Sequence, residues 1–211
     1  MREGRCGLAA SSLTVLARKL APCDFPPPMP FSFTKLRGVK CALLALSLSG
    51  TAALRAEDWA LSTTGVRIGL PASKSGKDFW RAEGLVGWTL PWDWSFCNDW
   101  NLDSRLDLTA GWLGDGYKNA AVVTLGPSFG LHHKGWPLTL EGGISPTFIS
   151  RYEFVSKDFG SYFQFTSHVG LTWQFITHFS IGYQFEHMSN AGIDGQNPGL
   201  NLHVVELRYI F

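Results

Sequence analysis

The chain has 211 residues, 45% of them hydrophobic and 14% aromatic, with 18 Lys and Arg against 17 Asp and Glu. One domain is the expectation at that length, but the charge divides unevenly: residues 1–56 hold eight basic residues against two acids, and residues 57–211 hold ten against fifteen. The larger part is therefore close to −5, with no basic patch, which excludes nucleic acid as a partner.

Met29 opens a segment in which Lys35, Arg37 and Lys40 precede an apolar run from Cys41 to about Leu54, with Ala56 before Glu57 and Asp58. A charged start, a short apolar core and a small residue at the cut predict a secretory signal over 29–56, with cleavage after Ala52 or Ala53 nearly as acceptable. The run is too short for a membrane helix, which needs roughly 20 apolar residues. Residues 1–28, with the prolines at 26–28, read as a mis-assigned start or a disordered extension, leaving 57–211 as the folded domain. Cys6, Cys23 and Cys41 fall in the removed part, so Cys97 stands alone and no internal disulfide is available. No histidine lies near Cys97 in sequence, which argues against a thiol nucleophile.

From residue 57 onward the periodicity is two, without convincing helical spacing. Weak alternation near 60–70 and 79–90 precedes stronger runs. Trp100, Leu102, Leu106, Leu108, Ala110 and Trp112 share one face, opposite Asn101, Asp103, Arg105, Asp107 and Thr109. Val123, Leu125, Phe129 and Leu131 follow, then Leu138, Leu140, Ile144 and Phe148, then Phe163, Phe165, Val169, Leu171, Trp173 and Phe175. With 179–189 and 201–211 the count is eight strands. Connectors near 71–78, 113–119, 150–160 and 190–200 form a longer set, and those near 91–95, 132–137 and 176–178 a shorter one, as in an outer-membrane barrel with its termini on the periplasmic side.

A soluble lipocalin-type barrel shows the same alternation with its faces reversed. Three features favour lipid. The polar set includes Asp103, Arg105, Asp107, Glu141, Gln164, His168, Gln184 and Glu186, which can pair inside a narrow lumen. Tryptophans 92, 94, 100, 112 and 136 cluster at strand ends, as interfacial girdles do. The chain closes on Leu207-Arg-Tyr-Ile-Phe211, similar to the terminal signal read by outer-membrane assembly machinery. The expected fold is all-β, an eight-stranded antiparallel outer-membrane barrel.

In Phe179–Asn190, the apolar parity of Phe179, Ile181, Tyr183 and Phe185 continues into His187 and Ser189. Counting back from Val205, Leu207, Tyr209 and Phe211 places His203 and Asn201 on the same lipid-facing side. Topology makes His187, Ser189 and Asn201 neighbours on the outer wall, in the outer-leaflet half of the membrane. Serine is a weak nucleophile without a base in reach. Residues i and i+2 share a face about 6–7 Å apart, so contact between them needs the strand to twist or break near Met188–Asn190.

Residues 187–201, HMSNAGIDGQNPGLN, resemble the signature of PagL-type lipid A 3-O-deacylases through His187, Ser189, Asn190 and Ala191, then Asn197 and Gly199. The resemblance implies an outer-membrane esterase that removes the 3-O-linked acyl chain of lipid A and releases a hydroxy fatty acid, without metal or organic cofactor. It implies Ser189 as nucleophile and His187 as base, with Asn190 helping the oxyanion through its amide or neighbouring backbone N–H groups. The best-known members carry a carboxylate fourteen residues after the histidine, which orients the imidazole; here that position is Asn201. Asparagine can orient an imidazole without stabilising its charge, so a slower enzyme is expected. Asp194 is a substitute if the loop folds back, while Glu186 and Glu206 point into the lumen by parity.

Plainer readings accompany these. His187 and Ser189 can be rim residues, and Asn197, Pro198 and Gly199 ordinary turn formers that shape the loop. His203 reads first as an interfacial residue and second as a contact to substrate phosphate. His132 and His133 lie in a turn without metal spacing. Gly126-Pro-Ser128-Phe-Gly130 matches the serine-hydrolase elbow, which needs a strand–turn–helix, whereas Ser128 sits inward on a continuing strand. A non-catalytic structural or adhesive barrel and a soluble lipid-binding barrel are the rival functions. A homodimer could shield a lipid-facing site, but no residue specifies one.

Overall fold

The structure, a computed structural model, describes residues 59–73, 78–96 and 99–211. The expected signal segment, the extension before it and Cys97 lie outside these residues. Nine strands follow in chain order: β1 (Leu61–Pro71), β2 (Trp80–Thr89), β3 (Trp94–Phe96), β4 (Trp100–Gly114), β5 (Asn119–His133), β6 (Leu138–Ile149), β7 (Phe163–Ile176), β8 (Phe179–Ser189) and β9 (Leu200–Ile210). Every pairing is antiparallel, and the β1–β9 and β2–β4 pairs close the sheet into a barrel of eight staves. Closure leaves these staves no free edge, so each backbone donor and acceptor within lipid can be met by a neighbouring strand.

β3 is the ninth strand and lies outside the barrel count. Pro91 ends β2 because it offers no N–H to a ladder, and the chain then folds a three-residue flap against β4, paired as Trp94↔Leu102, Ser95↔Asn101 and Phe96↔Trp100. The expected division of connectors is corrected accordingly. The β2–β4 connection, 90–99, is the longest at the end that carries the termini. At the opposite end β4 and β5 run on to a four-residue turn at 115–118, where the Asp115 carboxylate accepts the N–H groups of Tyr117 and Lys118.

The faces resolve which side of the alternation is outside. Val66, Ile68, Leu125, Leu140, Ile144, Leu171 and Leu207 are exposed on the wall, while Arg67, Arg81, Glu83, Glu141, Glu186, Glu206 and Arg208 are buried in the lumen. Arg81 bridges Glu83 at 2.7 Å and Glu186 at 3.2 Å, and Arg67 reaches the same two carboxylates. Further down, Arg208 and Arg105 both meet Glu141 Oε1 at 3.0 Å. An apolar wall around a charged interior fits a hydrocarbon surround and is the reverse of a soluble lipid carrier.

The end opposite the termini is plugged. Phe79, Leu113, Val122, Ile149, Phe154, Phe159, Met188, Leu200, Leu202 and Val204 form a buried cluster there. Burying a side chain of this size contributes about 1.5–3 kcal/mol, so the cluster anchors the loops above it. Met188 lies between His187 and Ser189, and Leu200 and Leu202 flank Asn201. The inward parity of each strand therefore builds the plug, while its outward parity presents the polar residues.

Candidate active site

β8 keeps strict alternation up to Met188, which leaves His187 exposed and Ser189 half-buried at the last strand position. β9 brings Asn201 directly opposite His187. His187 Nδ1 lies 2.6 Å from Asn201 Oδ1. An amide oxygen can only accept, so Nδ1 carries the proton and Nε2 keeps its lone pair. That is the tautomer a general base requires. Asp194 does not take the orienting place, because Nδ1 is already engaged. Glu186 and Glu206 are committed to Arg67, Arg81 and Arg208 in the lumen.

Ser189 and His187 are not hydrogen-bonded to each other in this state. Unliganded hydrolase sites often hold this contact open until substrate arrives. The break expected beside the serine is present: β8 stops at Ser189, Asn190 leaves the ladder, and Ala191 has a φ of 56°. A left-handed alanine is uncommon and marks a turn held by its surroundings.

What holds it is Asn190, which corrects one expectation. Its side chain is 0% exposed and points into the cap rather than toward the serine. Nδ2 donates to the carbonyls of Phe159 and Gln196, each at 3.0 Å, and also to that of Asp194. Its Oδ1 accepts the Gly192 N–H at 2.8 Å. An amide so fully engaged has no hydrogen left for an oxyanion. The backbone alternative survives, because the Ala191 N–H has no partner among the described residues. Asn197 serves the same corner: its Oδ1 accepts the Asn190 N–H at 3.1 Å, which leaves its NH2 group unspent by that contact.

Gly199 is more than a turn former. It sits at φ 60°, and a Cβ there would fall 2.9 Å from His187 Cε1. The bare backbone is what lets the loop close over the imidazole. Its carbonyl accepts from Lys157 Nζ at 2.6 Å. Lys157 is 8% exposed, and burial pushes its ammonium below the ordinary lysine range. The 150–162 connector thus braces the 190–199 connector through Phe159, Gly160 and Lys157.

Lys157 was not identifiable from sequence, since nothing local distinguishes it from a solvated loop lysine. Tyr183 was read as apolar wall, yet its hydroxyl lies 2.7 Å from His203 Nδ1, a diagonal contact in which His203 is two residues from Asn201 and Tyr183 four from His187. His203 stands on the wall between the exposed Phe185 and Leu70. Ser128 of the elbow-like motif faces the lumen, 3.4 Å from His168. The cavity beside His168 holds only about 20 Å³, too little for an ester. His132 lies 3.7 Å from Asp103, while His133 packs on Trp100 and Trp136. Among the described residues no three His, Cys, Asp or Glu side chains converge as metal ligands.

Comparison with known proteins places the chain beside others of known kind. The family model described as lipid A 3-O-deacylase (PagL) matches residues 82–210. The lipid A deacylase PagL of Bordetella bronchiseptica (strain ATCC BAA-588 / NCTC 13252 / RB50) is 34% identical over 127 residues, covering 57% of this chain and 68% of that protein. Among solved structures, that of the outer membrane enzyme PagL aligns with a TM-score of 0.60 and 18% identity, covering 69% of this chain and 97% of the other.

Proposed function

The chain belongs to the lipid A 3-O-deacylase (PagL) family and is an outer-membrane lipid A deacylase, and we propose that it works through Ser189 as nucleophile and His187 as general base. The observation that carries this mechanism is the 2.6 Å contact between His187 Nδ1 and Asn201 Oδ1 on the lipid-facing wall. A histidine held in that tautomer, two residues before a serine at a strand end, is poised to take the seryl proton at Nε2.

The course follows from those roles. Ser189 Oγ attacks the ester carbonyl carbon while its proton passes to His187 Nε2. The tetrahedral oxyanion meets the Ala191 N–H and the Asn197 NH2 group. The carbon–oxygen bond to the sugar then breaks, and the departing oxygen takes the proton back from Nε2. Water repeats the sequence on the acyl-enzyme and releases a free fatty acid. With the termini in the periplasm, the site lies in the outer leaflet, and substrate reaches it by lateral diffusion. The aromatic terminus at Tyr209 and Phe211 is the feature we assign to the assembly machinery.

Mass spectrometry of lipid A from cells producing the wild type, Ser189→Ala and His187→Ala proteins tests the mechanism. Loss of one 3-O acyl chain in the wild type alone is expected. Retained deacylation in Ser189→Ala would reject the nucleophile, and unchanged lipid A with folded, inserted wild type would reject the activity.

A further inference from the structure

On the same outward face of β8 and β9, one step from Asn201 along β9 and two from His187 along β8, sits a polar pair that the hydrolytic step does not use. Tyr183 Oη and His203 Nδ1 are 2.7 Å apart, and their rings stack with centroids 5.9 Å apart at 22°. Phe185 meets the His203 ring at 64°. Register places His203 between Phe185 of β8 and Leu70 of β1, both exposed apolar side chains. Tyr183, 49% exposed, stands opposite Val205 and two residues from Ile181. The pair is thus a polar island within the apolar band, not a member of the rim above it.

Its hydrogen bonds cannot all be met internally. A neutral imidazole has one N–H and tyrosine one O–H, and the single mutual bond uses only one of them. If Oη donates to Nδ1, the Nε2–H is unspent; if Nδ1 donates to Oη, the tyrosine O–H is unspent. Either tautomer turns one donor toward the hydrocarbon, where an unmet donor is expensive and a polar side chain marks a functional site. A phenylalanine and a leucine would cover this wall at no such cost.

We propose that Tyr183 and His203 form a substrate subsite that donates a hydrogen bond to a hydroxyl oxygen on an acyl chain of lipid A, and so selects hydroxylated chains over plain ones. This rests on the deacylase reading. Two residues of strand put His203, to which the Tyr183 hydroxyl reaches back, about 7 Å from the His187–Asn201 level, the depth of the first few carbons of chains hanging from the sugar. Both tautomers offer the acyl oxygen a donor, and the stack on Tyr183 with the edge contact to Phe185 holds the His203 ring in place.

Three glycolipid esters in detergent micelles test it: one with a hydroxyl on the scissile chain, one with the hydroxyl only on the neighbouring chain, and one with none. The expected wild-type kcat/KM is at least tenfold higher for a hydroxylated ester than for the plain one, and the first two arms identify which chain carries the recognised oxygen. Tyr183→Phe and His203→Phe, which keep the aromatic stack, reduce that ratio to within twofold. Absence of a preference in the wild type, or an undiminished preference in both variants, overturns the subsite. If the wild type cleaves none of the three, the deacylase reading fails instead. Binding of the same lipids to Ser189→Ala, with and without Tyr183→Phe, then decides the subsite: tenfold weaker binding of the hydroxylated lipid in the double variant supports it, and equal binding overturns it.

Discussion

His187 and Asn201 occupy directly opposed positions of β8 and β9, with Nδ1 and Oδ1 2.6 Å apart. The register itself delivers the orienting contact, so it depends on strand pairing and not on a loop. A neutral hydrogen bond of this kind contributes about 0.5–1.5 kcal/mol and one to a charged group about 1.5–3 kcal/mol.

That difference predicts a gain of function. Asn201→Asp, which keeps the side-chain length, should raise kcat by about tenfold by stabilising the imidazolium. Asn201→Ala should lower kcat several-fold. Steady-state kinetics checks both, and an unchanged kcat in Asn201→Asp would exclude direct contact with the imidazole.

Gly199→Ala should reduce kcat by about tenfold or more with little loss of fold. The added Cβ meets the His187 ring at 2.9 Å, and the left-handed backbone disfavours any side chain. The sensitive measurement is kcat alongside heat-modifiable gel mobility, which reports the barrel independently.

Lys157→Met preserves the buried stem and removes the ammonium that holds the Gly199 carbonyl. Loss of one such hydrogen bond, about 1.5–3 kcal/mol, should loosen the 190–199 connector and lower kcat more than it raises KM. Lys157→Arg should recover part of the rate. Equal kcat in Lys157→Met and wild type would show that the brace has no catalytic consequence.

Asp115 links two connectors, accepting N–H groups from Tyr117, Lys118 and Val155. Although desolvation by burial pushes its pKa up, these backbone N–H groups outweigh it and hold the carboxyl below the usual aspartate range. Its contribution is therefore fully present above the unfolded value, about 3.9, and is lost as pH falls through the lower folded one. Asp115→Asn should destabilise the barrel at pH 7 and approach wild-type stability in strong acid. Thermal unfolding in detergent at pH 7 and at progressively lower pH reads the convergence.

Strand positions were legible almost to the residue at β8, which spans Phe179–Ser189 as its alternation indicates. They were less so at β4 and β5, where Gly114 and Asn119 extend the pairing beyond the apolar pattern, and not at all at β3, whose three residues are too few to show a period. Within the site, parity alone placed His187, Ser189 and Asn201 on one wall. It misjudged Asn190, because the residue after a strand end no longer obeys the alternation; its amide turns into the cap, where three carbonyls collect it.

By itself the sequence determined the barrel, the division of each strand into an apolar and a polar side, and the shared face of nucleophile and base. These depend on a repeat of two, which every residue expresses locally. Tertiary structure alone decided that the Asn190 amide turns into the cap, that Lys157 reaches Gly199 from 42 residues away, and that Tyr183 finds His203 20 residues on. Such contacts arise only when closure and register bring distant segments together, and no local period encodes which partner a side chain meets.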